Sequence, residues 1–320
     1  MNSLNEIAEW IRARDGFLLQ GHVSPDGDTC GCCMALLLAL RSMGKSAQAY
    51  IPGGPPKMLK FMKEPQALGA DDKPEYRYSI ALDVSDPDRL GDTGRKLFES
   101  AEGRIVVDHH GTNPLFGELN LVEGGRASCS EIMMDLIGAL GAEITPLVAS
   151  WLFVGISSDT GNMNYSNTDS ACMRAAARCL DAGAKADELT KGLFRTRSLG
   201  RTKLLGLALC AMKIEGSVAY TFVTQDMLRE AEAGLEDTES IVNYLLETEG
   251  VKVAILATEK EEGRFKLSLR SERGIDVAEA IAGPLGGGGH ENAAGCTVEG
   301  TREHVLDTVL PYARSAGERG

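Results

Sequence analysis

Arg104-Ile105-Val106-Val107-Asp108-His109-His110-Gly111-Thr112-Asn113 is the stretch from which the rest of the chain is read. Its β-branched run predicts a buried parallel strand that stops at an acid and two adjacent imidazoles. Polar groups at the carboxyl end of such a strand stand where open α/β sheets collect ligands. Neighbouring side chains on extended chain point to opposite sides, so one histidine is expected to ligate a given ion and the other to face a substrate. Asp-His-His alone is a weak signal, and three further stretches give it force. Gly21-His22-Val23-Ser24-Pro25-Asp26-Gly27-Asp28-Thr29-Cys30-Gly31 offers an imidazole and two acids. Ser79-Ile80-Ala81-Leu82-Asp83 ends in an acid, and Ser157-Ser158-Asp159-Thr160-Gly161 carries another.

Taken singly, each stretch has an ordinary reading. Asp26-Gly27-Asp28 makes a turn, Asp83 helps cap the next helix, His22 is a hydrogen-bonded strand-end residue and Asp159 closes a helix. Jointly, those readings require several charged elements to end alike for no chemical reason. His22, Asp26, Asp28, Asp83, His109 and Asp159 supply two imidazoles and four carboxylates, too many for one ion. Mixed nitrogen and oxygen ligation without thiolate suits Mn²⁺, Mg²⁺, Fe²⁺ or Co²⁺ better than structural zinc. A dinuclear site, its ions roughly 3.5–4 Å apart, needs a bridging carboxylate and activates a water for in-line attack on phosphorus. Asp26 and Asp28 are alternate residues on one loop and can address two adjacent ions.

The chain as a whole sets bounds. At 320 residues it exceeds the usual size of one core, so two domains are expected. A formal net charge of −13 argues against duplex nucleic acid and anionic membrane as partners. A short phosphorylated substrate is still admitted, with bound cations and local arginines supplying the attraction. The eight cysteines are scattered and read as reduced, buried thiols; Cys30, Cys32 and Cys33 lack zinc-type pairing. The N-terminal stretch predicts no signal peptide and no apolar run is long enough to span a bilayer, so a cytoplasmic location is expected.

Ser3 to Glu6 predicts a capping box opening a first helix. Phe17–Gln20 reads as a strand, the acidic loop comes next, and residues 30–43 read as an apolar helix. Residues 47–51 and 79–82 are further strands and 92–100 a helix, an alternation that predicts a doubly wound, mostly parallel sheet. Residues 128–140, 146–158 and 169–180 read as helices, with Thr145-Pro146 an N-cap and first-turn proline that place Asp159 at a helix end. Residues 186–213 read as a helical connection between a first domain, 1–185, and a smaller α/β second domain, 214–320. The second has strands at 218–223, 251–258 and 265–269, helices near 239–247 and 276–282, and a last helix over 301–313. Gly286-Gly287-Gly288-Gly289-His290 precedes that helix. Four glycines in a row leave backbone N–H groups open to an anion or a base, and Arg270 and His290 can add charge and a planar donor fork.

His22-x-x-x-Asp26-x-Asp28-x-x-Gly31, the strand ending at Asp83, Asp108-His109-His110 and Asp159-Thr160-Gly161 resemble the four motifs of the DHH phosphoesterase superfamily. Leu269-Arg270-Ser271, Asp276-Val277 and Gly286 to His290 resemble its DHHA1 substrate domain. The resemblance spans nearly the whole chain and is strongest to the nanoRNase/pAp-phosphatase family. RecJ-type exonucleases carry additional domains, and family II pyrophosphatases carry a different second domain. By position, the resemblance implies a first metal on His22, Asp26 and Asp83. It implies a second on Asp28, Asp83, His109 and Asp159, with Asp83 the bridge and Mn²⁺ the usual ion. His110 would meet the scissile phosphate and Asp108 would orient a histidine. Arg270, Ser271, Gly287, Gly288, Gly289 and His290 would hold the substrate, with the active site in the cleft between domains. Cys30 and Cys32 depart from the family pattern, Cys32 standing where a serine is common.

The activity implied is hydrolysis of short single-stranded RNA from an end, and of nucleoside 3′,5′-bisphosphates such as pAp, by a two-metal-bridged hydroxide. Cyclic dinucleotides or their linear products are the alternative substrates, and a homodimer is compatible with the sequence. A nucleotide-binding regulatory protein with a degenerate metal site is the alternative of another class, and the intact ligand set argues against it.

Overall fold

The Ser3 to Glu6 spacing acts as expected. The Ser3 hydroxyl accepts from the Glu6 N–H, and the Glu6 carboxylate accepts from the Ser3 N–H. In the computed structural model this cap opens α1 (Leu4–Arg12). The structure describes every residue except Lys63, Glu64, Ala70, Asp71, Gly320 and the Arg319 side chain. Next come β1 (Phe17–Gln20), α2 (Gly27–Ser42), β2 (Ala47–Tyr50), β3 (Tyr78–Leu82), α3 (Gly91–Glu99), β4 (Gly103–Asp108) and β5 (Leu119–Val122). Helices α4 (Cys129–Leu140), α5 (Pro146–Asp159), α6 (Ser170–Asp181) and α7 (Ala186–Thr190) succeed them. Then come α8 (Leu199–Cys210), β6 (Lys213–Glu215), β7 (Val218–Val223), α9 (Gln225–Ala231) and α10 (Ile241–Leu246). The chain ends with β8 (Val253–Glu261), β9 (Arg264–Ser271), β10 (Gly288–His290), β11 (Ala293–Glu299) and α11 (Arg302–Arg319).

The chain divides into two compact units, Met1–Thr196 and Arg197–Gly320. The division falls within the segment read as a connection, leaving α7 in the first unit and α8 in the second.

In the first unit all strand pairs are parallel, in the order β2-β1-β3-β4-β5. The sheet is buried on both faces, and alternate residues go to different cores. Phe17, Leu19, Ile80, Leu82, Ile105 and Val107 join the helices α1, α2, α4 and α5. Ala81 and Val106 face Leu90 and Phe98 at α3. From β1 the chain steps outward to β2 and then returns to the other side of β1 for β3. That reversal opens a crevice at the carboxyl ends of β1 and β3, the place where doubly wound sheets bind ligands. His22 lies just past β1 and Asp83 just past β3.

Strand β5, which pairs with β4, has no counterpart among the strands expected from sequence. A parallel pair ordinarily needs a helical crossover, whereas here residues 109–118 form an irregular loop that carries both histidines. Helix α5 is apolar on all sides because α2, α4 and α6 surround it. Its approach to α2 requires glycine. A Cβ on Gly31 would lie 2.7 Å from the Trp151 carbonyl oxygen, and one on Gly27 would lie 2.5 Å from Ser158 Cβ.

The second unit has one mixed sheet, β10-β11-β9-β8-β7-β6, in which only β7 and β8 run parallel. Apolar residues of β9 and β11 pack with α11 on one face, and Ala219, Ala254 and Leu256 pack with α8 and α10 on the other. The glycine run is a structural correction. Its second half, Gly288 and Gly289, opens the edge strand β10, antiparallel to β11, while Gly286 and Gly287 precede the strand. Gly289 has φ +150, and a Cβ there would lie 2.5 Å from Ala294 Cα, so glycine is needed for strand packing as well as for open backbone.

Candidate metal centre

Five strand or helix ends converge in the first unit. Asp26 is the N-cap of α2, its Oδ1 accepting from the N–H groups of Asp28 and Thr29 at 3.0 Å, so its other oxygen is left for the crevice. His22 is 5% exposed, and its Nδ1 lies 2.8 Å from the Val23 carbonyl oxygen. That contact turns Nε2 toward Asp26 Oδ2 at 3.8 Å and Asp83 Oδ2 at 3.7 Å. Asp83 ends β3 with φ +58, a left-handed conformation that aspartate tolerates better than most residues. Its Oδ2 also accepts from the Thr29 hydroxyl at 2.7 Å.

The other Asp83 oxygen faces a second group. Oδ1 lies 3.5 Å from His109 Nε2, which lies 3.3 Å from Asp159 Oδ2 at the end of α5. Asp28 completes this group and is fully buried. Its carboxylate accepts from the N–H groups of Cys129 at 2.6 Å and Ser130 at 2.9 Å, at the start of α4. The Cys32 thiol adds a weak contact to Asp28 at 3.6 Å. His109 Nδ1 lies 3.2 Å from the Arg126 carbonyl oxygen, which fixes the ring and leaves Nε2 as the ligating nitrogen.

The separations between the imidazole nitrogens and the carboxylate oxygens, 3.3–3.8 Å, are too long for good hydrogen bonds. Adjacent ligand atoms around an octahedral cation, each at about 2.1 Å, lie about 3 Å apart, and wider angles spread them further. Asp83 Oδ1 and His109 Nε2 are buried and have no hydrogen-bond partner among the described residues. Buried polar atoms without partners are costly, and a cation between them supplies what both lack. Three sets are spaced to hold a cation: His22, Asp26, Asp83; Asp28, His109, Asp159; and Asp83, His109, His110. Asp83 occurs in two of them, one oxygen toward each side. The residues therefore fit divalent cations.

Electrostatics agree. Burial pushes Asp83 well up from the usual carboxylate range, and Asp28 and Asp26 push the same way. Burial also raises Asp28, and raises Asp159 to about 9. Burial lowers His22. A group of carboxylates that repel one another in a dry crevice is stabilised by positive charge.

His110 differs from the expectation in direction. The backbone leaves the strand after Asp108, so the two rings do not point apart; their centroids are 4.4 Å apart and both approach Asp83. His110 Nδ1 hydrogen-bonds Asp108 Oδ1 at 2.8 Å, and this contact raises its pKa. Burial opposes ionisation of Asp108, but bonds from His110 and from Asn113 Nδ2, at 2.7 Å, hold it below the usual value. Asp108 thus orients His110 and leaves Nε2 for another group. Asn113 also donates to the Val84 carbonyl at 2.9 Å, tying the histidine loop to the chain just after Asp83.

Sequence reasoning missed Thr29, Asn113, the Cys129 and Ser130 amides and Asn167, which donates to the Asp159 carbonyl at 3.0 Å. Asn113 and Thr29 lie within the motif stretches, though the sequence does not show that the Thr29 hydroxyl reaches Asp83. In the second unit, Arg270 and His290 both flank Ala293 across the strand pairs, which puts them on one sheet face. Ser271 alternates to the other face; it is 5% exposed and its hydroxyl donates to the Ile275 carbonyl.

Residues 17–156 match the DHH family, N-terminal domain, and residues 215–315 match the DHHA1 domain. The bifunctional oligoribonuclease and PAP phosphatase NrnA of Thermus thermophilus is 36% identical over 321 residues, covering 97% of this chain and 94% of its own. The chain belongs to the DHH phosphoesterase family. NrnA of Bacillus subtilis is 24% identical, covering 92% of each. Among solved structures, an exopolyphosphatase-related protein from Bacteroides fragilis superposes with a TM-score of 0.84 at 25% identity, covering 99% of this chain and 95% of that one. Among the described residues no helix is long and apolar enough to cross a membrane.

Proposed function

We propose that this phosphoesterase hydrolyses short oligoribonucleotides from an end and removes a phosphate from nucleoside 3′,5′-bisphosphates such as pAp, using two divalent cations, Mn²⁺ foremost. The observation that carries the reading is the Asp83 carboxylate, buried at the switch point with one oxygen toward His22 and Asp26 and the other toward His109. The activities named for the Thermus and Bacillus relatives supply the substrate class. Bound divalent cations supply charge neutralisation and lower the pKa of water for attack on phosphorus.

The chain's own residues do the rest. His22, Asp26 and Asp83 would hold one cation; Asp28, Asp83, His109 and Asp159 would hold the other. Asp108 keeps His110 oriented, so that its Nε2 donates to an oxygen of the reacting phosphate. Arg270 and His290, with the backbone of Gly287, Gly288 and Gly289, hold the part of the nucleotide that does not react. The test is a panel of pAp, diribonucleotides, longer RNA and cyclic dinucleotides, each with Mn²⁺ and again with a chelator. Chelator-sensitive turnover of pAp and diribonucleotides above the other substrates is expected. Preference for cyclic dinucleotides, or turnover unchanged by chelation, would contradict the reading.

A further inference from the structure

The geometry points to Arg89 as a further catalytic residue: a guanidinium, built into the rim of the metal centre beside His22, that binds non-bridging oxygens of the reacting phosphate. This rests on the two-cation reading above. The backbone of Arg89 is fixed against the His22 loop. The Val23 N–H donates to the Arg89 carbonyl at 2.7 Å. Gly91 comes two residues later at φ +68, where a Cβ would lie 2.8 Å from Val23 Cγ1, so the turn closes directly on that loop.

The side chain is exposed, and its Nη2 lies 3.1 Å from His22 Nδ1. That nitrogen is already 2.8 Å from the Val23 carbonyl oxygen. One Nδ1 serves one of the two, and a His22 that ligates through Nε2 keeps its proton on Nδ1 for Val23. Among the described residues the guanidinium is then left without an acceptor. Acids beside it in sequence are engaged elsewhere: Asp88 pairs with Arg95 at 2.7 Å, and Asp86 accepts from the Asp88 N–H at 2.8 Å. Among the described residues no carboxylate lies within ion-pair distance of Arg89.

Charge decides what it takes. The four carboxylates of the centre, Asp26, Asp28, Asp83 and Asp159, balance two dications, leaving little net attraction for a phosphate in a chain of net charge −13. A planar donor fork at the rim restores that attraction and matches two phosphate oxygens at once. As charge spreads over those oxygens in the transition state the contact strengthens, which raises kcat as well as binding.

The experiment compares Arg89→Ala and Arg89→Lys with the wild-type chain, measuring Mn²⁺ binding by calorimetry and kcat and KM on pAp and a diribonucleotide, with and without added guanidinium chloride. Arg89→Ala should keep wild-type Mn²⁺ stoichiometry and affinity, lose about 10- to 100-fold in kcat, and regain part of it with millimolar guanidinium. Arg89→Lys should fall between the two. A drop in Mn²⁺ affinity that accounts for the lost rate would make Arg89 a support for His22 and overturn the proposal, as would an unchanged kcat. Failure of the underlying reading would show differently, as a wild-type chain that binds no Mn²⁺ or cleaves neither substrate.

Discussion

At the scale of single residues, Asp83 carries the most. Its left-handed backbone turns both oxygens into the crevice, and asparagine can adopt the same conformation with the same shape. Asp83→Asn should therefore fold, yet lose the Mn²⁺-induced rise in Tm, measured by thermal melts with and without metal. His110→Ala should show the opposite pattern, keeping that rise while kcat falls about 100-fold, within the range for a lost general acid. The pH dependence has a definite sign. Burial raises Asp83, Asp28 and Asp159 above their unfolded values, Asp159 to about 9. Such groups contribute stability that is fully present below the unfolded pKa and is lost as pH rises through the folded one. Metal-free protein should accordingly lose Tm between about pH 4 and about pH 9, and Asp159→Asn should flatten that decline. A metal-free Tm that rises steadily over this range would contradict the electrostatic account. The clustered His and Asp residues could be picked out because each lies beside an apolar run. Thr29, Asn167 and the α4 amides could not, since only the folded chain brings them beside Asp28, Asp83 and Asp159.

At the scale of elements, the centre depends on how closely α2 and α5 approach. Gly155 faces Asp28 and Ser130, and a Cβ there would lie 2.5 Å from Asp28 Oδ1 and closer still to the Ser130 hydroxyl. Gly155→Ala should cost about 1–3 kcal/mol by overpacking and should weaken Mn²⁺ binding, because the displaced group, Asp28, is one of the proposed ligands. Chemical denaturation and metal titration of the same variant check both halves. The periodic elements were readable: β1, β3 and β4 are short apolar runs, and α5 is an apolar stretch behind Thr145-Pro146. The strands β5, β10 and β11 were not. Leu119–Val122 comes after a loop with no crossover helix, and Ala293–Cys296 with Gly288–Gly289 lacks the β-branched residues that mark a strand. Those small residues suit an edge that another molecule's backbone can approach, a use that strand propensity does not register.

At the scale of the molecule, an acidic chain that acts on anionic substrates needs cations in one place and donor groups in another. Arg270 and His290 share a face of the second sheet, in a unit with its own core. If they hold the unreacting end of the nucleotide, Arg270→Ala and His290→Ala should slow pAp and diribonucleotide hydrolysis by roughly one to two decades. Hydrolysis of bis-p-nitrophenyl phosphate, which has no nucleotide to hold, should be spared. Equal losses on all substrates would place these residues at the reacting phosphate. The division into two domains and the motif order were legible from the sequence, since both rest on local pattern and chain length.

The central claim is that Asp83 bridges two cations, and counting the metal tests it most directly. Protein loaded with Mn²⁺ and freed of excess is analysed for metal per chain, wild type beside Asp83→Asn, with hydrolysis of pAp measured on the same samples. The account predicts two Mn²⁺ per wild-type chain, at most one in the variant, and activity that follows the second ion. One Mn²⁺ or fewer in a fully active wild-type chain, or two retained in Asp83→Asn, would contradict it.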